Sequence, residues 1–111
     1  MSGVTHVVLV QWQDGTDHSA EADALAQQHL PRIEGVRSVT SGRSVSTEGK
    51  EDGFDWMLVV RFDGRDALAG YLPHAEHRPV AEHIGAGSQR VVVFDVEEPE
   101  HEHEPEHDAL A

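Results

Sequence analysis

Residues 71–77 read Tyr-Leu-Pro-His-Ala-Glu-His, which puts one phenol and two imidazoles within seven positions. An imidazole with a reference pKa near ~6.5 can take up and return a proton around neutral pH. A phenol stays protonated there and can donate a hydrogen bond to a developing oxyanion. With His77 as base and Tyr71 as donor, the segment could remove a proton next to a carbonyl and hold the charge that forms. Pro73 stands between the two, so they converge only if the chain turns back at the proline. The plainer alternative leaves Tyr71 as a core-edge aromatic with its hydroxyl at the surface. His77 then pads the following helix through bonds to backbone.

The other candidate groups carry plain alternatives too. His6 lies on an apolar strand face, where a buried histidine is more often a satisfied core group than a proton shuttle. His74, His77 and His83, with Glu76 and Glu82, invite a metal reading. Pro73 spoils regular helical geometry around His74, and no spacing here matches a zinc signature. No metal and no cofactor is therefore expected. Trp12 and Trp56 could form a ligand wall, but core packing is the commoner fate of such residues.

Composition sets the bounds. The chain of 111 residues has length enough for one domain. Its net charge of −13 is uneven: residues 97–111 (EEPEHEHEPEHDALA) hold seven acids, and the remainder keeps 14 acids against 8 bases, a net −6. That stretch cannot bury enough apolar surface to offset its ordering entropy, so a disordered acidic, histidine-rich tail is expected after an ordered domain over residues 1–96. His101, His103 and His107 within it could chelate an ion loosely. There is no cysteine, hence no disulfide and no thiolate chemistry. The scattered cations of an acidic chain argue against a nucleic-acid partner. No apolar run reaches the ~20 residues that span a bilayer. No signal peptide is visible, and a cytoplasmic location is expected.

These groups need a frame. Val4–Trp12 (VTHVVLVQW) predicts a strand, apolar on both faces. Thr16 or Asp17 should cap a helix over residues 18–30, with Ala22, Leu25, Ala26 and Ile33 on one face. Val36–Ser46 predicts a second strand with a bulge at Gly42. Phe54–Phe62 (FDWMLVVRF) predicts a third, with Phe54, Trp56, Leu58, Val60 and Phe62 on one face. Asp63 should cap a second helix that carries Leu68, Tyr71 and Leu72 and stops at Pro73. A short third helix is expected over residues 75–84, provided Pro79 falls in its first turn. Gln89–Val96 predicts the last strand. The order β-α-β-β-α-β gives an α+β, ferredoxin-like, four-stranded antiparallel sheet with helices on one face. The uncovered face carries Val7, Leu9 and valines of the last strand, so a homodimer packed through its sheets is expected.

His6 in HVVLVQW, the stretches IEGVRSVTSGRSVS and GFDWMLVVRF, LAGYLPHAEH leading into VAEH, and a closing VVVFDV together resemble the Dabb family of stress-responsive dimeric α/β-barrel domains. The resemblance covers nearly all of residues 4–96. It implies a ferredoxin-like fold, a sheet-to-sheet dimer and a pocket between sheet and helices. Within that family it is distantly similar to the plant olivetolic acid cyclase, which closes a linear polyketide thioester by an aldol condensation. The similarity implies that Tyr71 and His77 match the catalytic pair. His74 matches the intervening histidine and His6 the pocket residue of the first strand. Where the cyclase has a further pocket histidine, this sequence has Trp56, whose indole would reshape or fill the cavity.

The expected function is therefore that of a barrel protein binding a small, mainly apolar organic ligand. His6, His74 and Trp56 would contact it, and His77 and Tyr71 could supply cofactor-independent acid–base chemistry of the polyketide-cyclase kind. A non-catalytic stress-response or ligand-binding dimer is the alternative. A cofactor-free monooxygenase ranks lower, because nothing in the sequence specifically supports oxygen chemistry.

Overall fold

A computed structural model describes residues 2–99. The first strand, β1 (Val4–Trp12), leads into α1 (Ser19–His29) and a 3₁₀ turn at Leu30–Arg32. β2 (Val36–Arg43) and β3 (Trp56–Phe62) follow. Then come α2 (Arg65–Tyr71), a 3₁₀ turn at Ala75–His77, α3 (Arg78–Gly87) and β4 (Ser88–Glu97). The strands form one antiparallel sheet in the order β2-β3-β1-β4. This is the expected ferredoxin-like arrangement. No helix among the described residues is long and apolar enough to cross a membrane.

Alternation in the strands decides the layers. Val4, His6, Val8, Val10 and Trp12 of β1 are buried, as are Trp56, Leu58, Val60 and Phe62 of β3. Ala22, Ala26, Leu30, Ile33, Tyr71 and Val80 complete this core from the helical side. Burying a Val, Leu or Phe side chain is worth roughly 1.5–3 kcal/mol, so this single layer supplies most of the driving force for folding. The opposite face stays open. Val92, Phe94 and Val96 of β4 are exposed there beside Met57, and they pair in register with Leu9, Val7 and Thr5.

Several local expectations need correction. The register shift in β2 falls between Val36 and Ser38, whereas Gly42 pairs regularly with Met57. Asp63 does not cap α2: Gly64 holds that position without a side-chain bond. The Asp63 amide instead donates to the Gly35 carbonyl at 2.9 Å, which ties it to the entry of β2. Leu72 parts from Tyr71, being half-exposed where Tyr71 is buried. Neither Thr16 nor Asp17 holds the N-cap of α1, which is His18 without a side-chain cap bond, although the Asp17 carboxylate accepts the Ser19 amide at 3.0 Å. Pro79 falls in the first turn of α3, where its missing N–H costs nothing. Of the expected tail, Glu97 closes β4, and Glu98 accepts a bond of 2.7 Å from the Thr5 hydroxyl. Residues 100–111 lie outside the described residues, and the expectation for them goes with them.

Candidate functional site

The chain does turn back at Pro73. α2 ends at Tyr71, and α3 starts after His77, which occupies its N-cap position. A proline contributes no N–H, and the carbonyls of a helix's last turn lack partners. The Leu72 carbonyl is such an orphan, and Nδ1 of His77 donates to it at 3.0 Å. That bond fixes the tautomer. The proton sits on Nδ1, and the lone pair is left on Nε2. The same turn brings the ring of His77 to 4.5 Å from that of Tyr71, centroid to centroid.

Tyr71 is buried in an aromatic corner. Its ring meets Phe62 edge-on at 4.9 Å and His6 edge-on at 5.5 Å. The residue is fully buried, and among the described residues no buried side-chain nitrogen or oxygen is left without a hydrogen-bond partner. Burial pushes the phenol pKa up from its usual 10.0, so Tyr71 is a donor and not a phenolate. Burial also pulls His77 below its usual 6.5, against the bond to Leu72, which acts the other way; the neighbouring His6 lowers it further. His77 is thus neutral, with a free lone pair, at neutral pH.

His6 reaches this corner from the sheet. It pairs in register with Val60 on one side and Asp95 on the other. Its Nδ1 lies 2.5 Å from Oδ1 of Asp95, which fixes the ring. Asp95 was missed in the sequence, where it reads as one acid in VVVFDV. Two signals could have found it: its place on the helix-facing side of the last strand, and the antiparallel pairing of the first and last strands. On that same side of β4, Val91 and Val93 are exposed, giving an apolar wall next to Asp95.

The remaining expected contacts go elsewhere. His74 caps the 3₁₀ turn, its Nδ1 accepting the Glu76 amide at 3.0 Å. Its side chain borders a cavity of about 690 Å³ between α2 and the entry of β2, with Gly35, Arg65 and Asp66. Glu76 is held by His29 at 2.7 Å, which pins the turn to α1 and keeps the carboxyl below its usual range. Trp56 pairs with Val10, four strand residues from Val60, roughly 13 Å along the strand. Its indole donates to Asp23 at 2.8 Å and packs 6.0 Å from Trp12. It belongs to a second aromatic cluster, apart from the corner at Tyr71. A cavity of about 520 Å³ at that end of the sheet is bordered by Trp56, Phe54, Met57 and the β2–β3 loop.

Residues 4–98 match the family described as the stress responsive A/B barrel domain, Dabb. The chain belongs to the Dabb family. Solved structures agree on the fold. A Dabb family protein with a ferredoxin-like fold from Mesorhizobium loti is 19% identical, with a TM-score of 0.66 over 86% of this chain and 96% of its own. A dimeric ferredoxin-like protein of unknown function from Thermobifida fusca is 18% identical, with a TM-score of 0.77 over 86% of this chain and 91% of its own. Hydroxynitrile lyase from Passiflora edulis is 14% identical, with a TM-score of 0.75 over 93% of this chain and 97% of its own. At these identities the likeness is one of fold. A search of curated proteins finds no match.

Proposed function

We propose that this Dabb protein binds a small, mainly apolar organic molecule beside Tyr71 and His77 and performs cofactor-independent acid–base chemistry on it. The carrying observation is the pairing of the two rings at 4.5 Å, with Nδ1 of His77 committed to the Leu72 carbonyl. In this reading Nε2 of His77 removes a proton next to a carbonyl. The Tyr71 hydroxyl donates to the oxygen that gains charge, and His6, oriented by Asp95, gives a further polar contact. Val91 and Val93 would face the apolar part of the ligand. Intramolecular aldol closure, as in polyketide cyclases, is one such reaction. A lyase step that adds or removes a small carbon acid at a carbonyl needs the same two groups, and one structural neighbour is a lyase. The working unit is a homodimer joined through the open sheet face, a reading supported by the dimeric neighbour and by the exposed Val92, Phe94 and Val96.

A non-catalytic ligand-binding role is the second reading. It draws support from the packing of Tyr71, which is buried among three rings. One experiment separates the two. Thermal-shift screening with aromatic and polyketide-like compounds identifies a ligand, and turnover is then followed with His77→Gln and Tyr71→Phe. The acid–base reading expects each change to cost ~10²–10⁴-fold in rate while ligand binding and the fold persist. Binding without turnover in the unaltered protein would leave the second reading standing.

A further inference from the structure

We infer that the seam between α1 and α3 forms a divalent transition-metal site from His18, Glu21 and His83. The three side chains each bring one donor atom, and these atoms lie within 4.8 Å of one another. His18 and Glu21 are three apart at the start of α1, so both project from its first turn. Nδ1 of His18 is 3.5 Å from the Glu21 carboxylate. His83 arrives from the middle of α3, its ring meeting that of His18 edge-on at 5.5 Å. Around an ion with bonds of about 2.0–2.2 Å in tetrahedral array, neighbouring donors are separated by roughly 3.4 Å. The existing set needs only a modest contraction, and Glu21, largely exposed, can make it by a change of rotamer.

The surroundings hold the two imidazoles in place. Trp12 lies edge-on to His18 at 5.5 Å and to His83 at 6.0 Å. Its own indole N–H is fixed by the buried Ser19 hydroxyl at 2.9 Å. Gly87 makes room for the His18 ring: a Cβ there would come within 2.6 Å of its Cδ2. Nε2 of His83 donates to the His18 carbonyl at a long 3.3 Å. Either nitrogen of His83 can therefore serve, Nδ1 with that bond kept or Nε2 with it released. Two imidazoles and one carboxylate, with a position open to solvent, suit zinc, copper, nickel or cobalt and not magnesium or calcium. Sequence spacing concealed the set, because it joins residues 65 positions apart. By sequence His83 groups with His74 and His77, whereas in the fold its ring meets that of His18.

The test uses the full chain. Titration with Co²⁺ is expected to give visible d–d absorption that saturates at one ion per chain, together with quenching of indole fluorescence, because Trp12 touches both rings. Zn²⁺ should displace the cobalt and reverse both signals. His18→Gln and His83→Gln should each weaken binding by more than ~10-fold, a loss that even an outer-shell residue produces. Replacing His101, His103 and His107 with Asn should leave both signals unchanged. Signals that survive the first two changes, or vanish with the tail changes, would overturn the assignment. Should either variant fail to fold by circular dichroism, the unaltered chain decides by NMR. Zn²⁺ must then shift the ring resonances of His18 and His83, and unshifted rings rule the site out.

Discussion

His6 and Asp95 face each other across the β1–β4 ladder, with Nδ1 of the imidazole 2.5 Å from the carboxylate. The imidazole is buried and the carboxylate is partly open to solvent. The pair therefore links the core to the exposed inner side of β4. Asp95→Asn keeps the shape but can turn its amide N–H toward the ring and reverse the preferred tautomer. The expected outcome is a fall of ~10-fold or more in ligand affinity or turnover, with a stability change of about 1 kcal/mol. Calorimetric titration and urea unfolding measure the two. Equal losses from Asp95→Asn and from a substitution of exposed Asp52 would show that Asp95 has no orienting role.

The acid limb of the pH profile should belong to His77. Its folded pKa is depressed below 6.5 by burial, so the folded state disfavours the charged ring. In the window between the depressed value and 6.5 the unfolded chain binds more protons, and stability rises with pH across it. The stabilisation from keeping His77 neutral is thus present above 6.5 and lost as pH falls through the lower value. Urea midpoints measured across that window should climb less steeply in His77→Gln than in the parent. Identical slopes would remove His77 as the responsible group.

Tyr71 makes the opposite prediction at the alkaline end. Its folded pKa is raised above 10.0, so the unfolded chain loses its proton first. Stability is full below 10 and declines as pH rises beyond it. Tyr71→Phe should remove this decline. Near neutral pH the same change should cost about 1 kcal/mol or less, the net worth of one hydroxyl hydrogen bond. Parallel alkaline melts of the two proteins check both statements.

The fold was legible because its signals are local and periodic. Alternation in Val4–Trp12 and Trp56–Phe62 named the buried face of each strand, and the turns announced themselves by Asp-Gly and Pro. The 3₁₀ turn at Leu30–Arg32 and the β2 bulge were not legible, since both answer to packing and not to residue type. In the site, Tyr71 and His77 could be paired on paper only by supposing a turn at Pro73. What decides that turn is an orphan carbonyl at Leu72, a backbone property. Asp95, and the grouping of His18 with His83, depend on pairings between distant segments that no spacing records. Trp56 shows the reverse. The residue matched a pocket position in the resemblance, yet the register places its ring with Trp12.

The open sheet face yields a prediction about assembly. Val92 and Phe94 sit side by side with Leu9 and Val7 on that face, and Phe94 is 64% exposed. Burying what remains exposed of each against a second copy would gain roughly 0.5–2 kcal/mol. Val92→Asp with Phe94→Asp should therefore shift a dimer to monomer at micromolar concentration while circular dichroism stays the same. Sedimentation equilibrium measures it, and a parent protein that is monomeric at all concentrations would end the dimer reading.

Gly35 sets where α2, and so Tyr71, can lie. Its φ of +90° is a conformation that L side chains rarely adopt. A Cβ built there would stand 2.5 Å from Cβ of Ala67, on the first turns of α2. Gly35→Ala then carries two costs, about 1–2 kcal/mol for the backbone and about 1–3 kcal/mol for pushing the helix outward. Urea unfolding should show a loss of roughly 2–5 kcal/mol. Adding Ala67→Gly removes the collision but leaves the backbone strain, so the double variant should recover only the packing share, less the ~1 kcal/mol that a glycine costs inside a helix. Ligand binding separates the two costs further. Helix displacement moves Tyr71 relative to His77, whereas backbone strain at residue 35 does not, so binding should recover in the double variant even where stability does not.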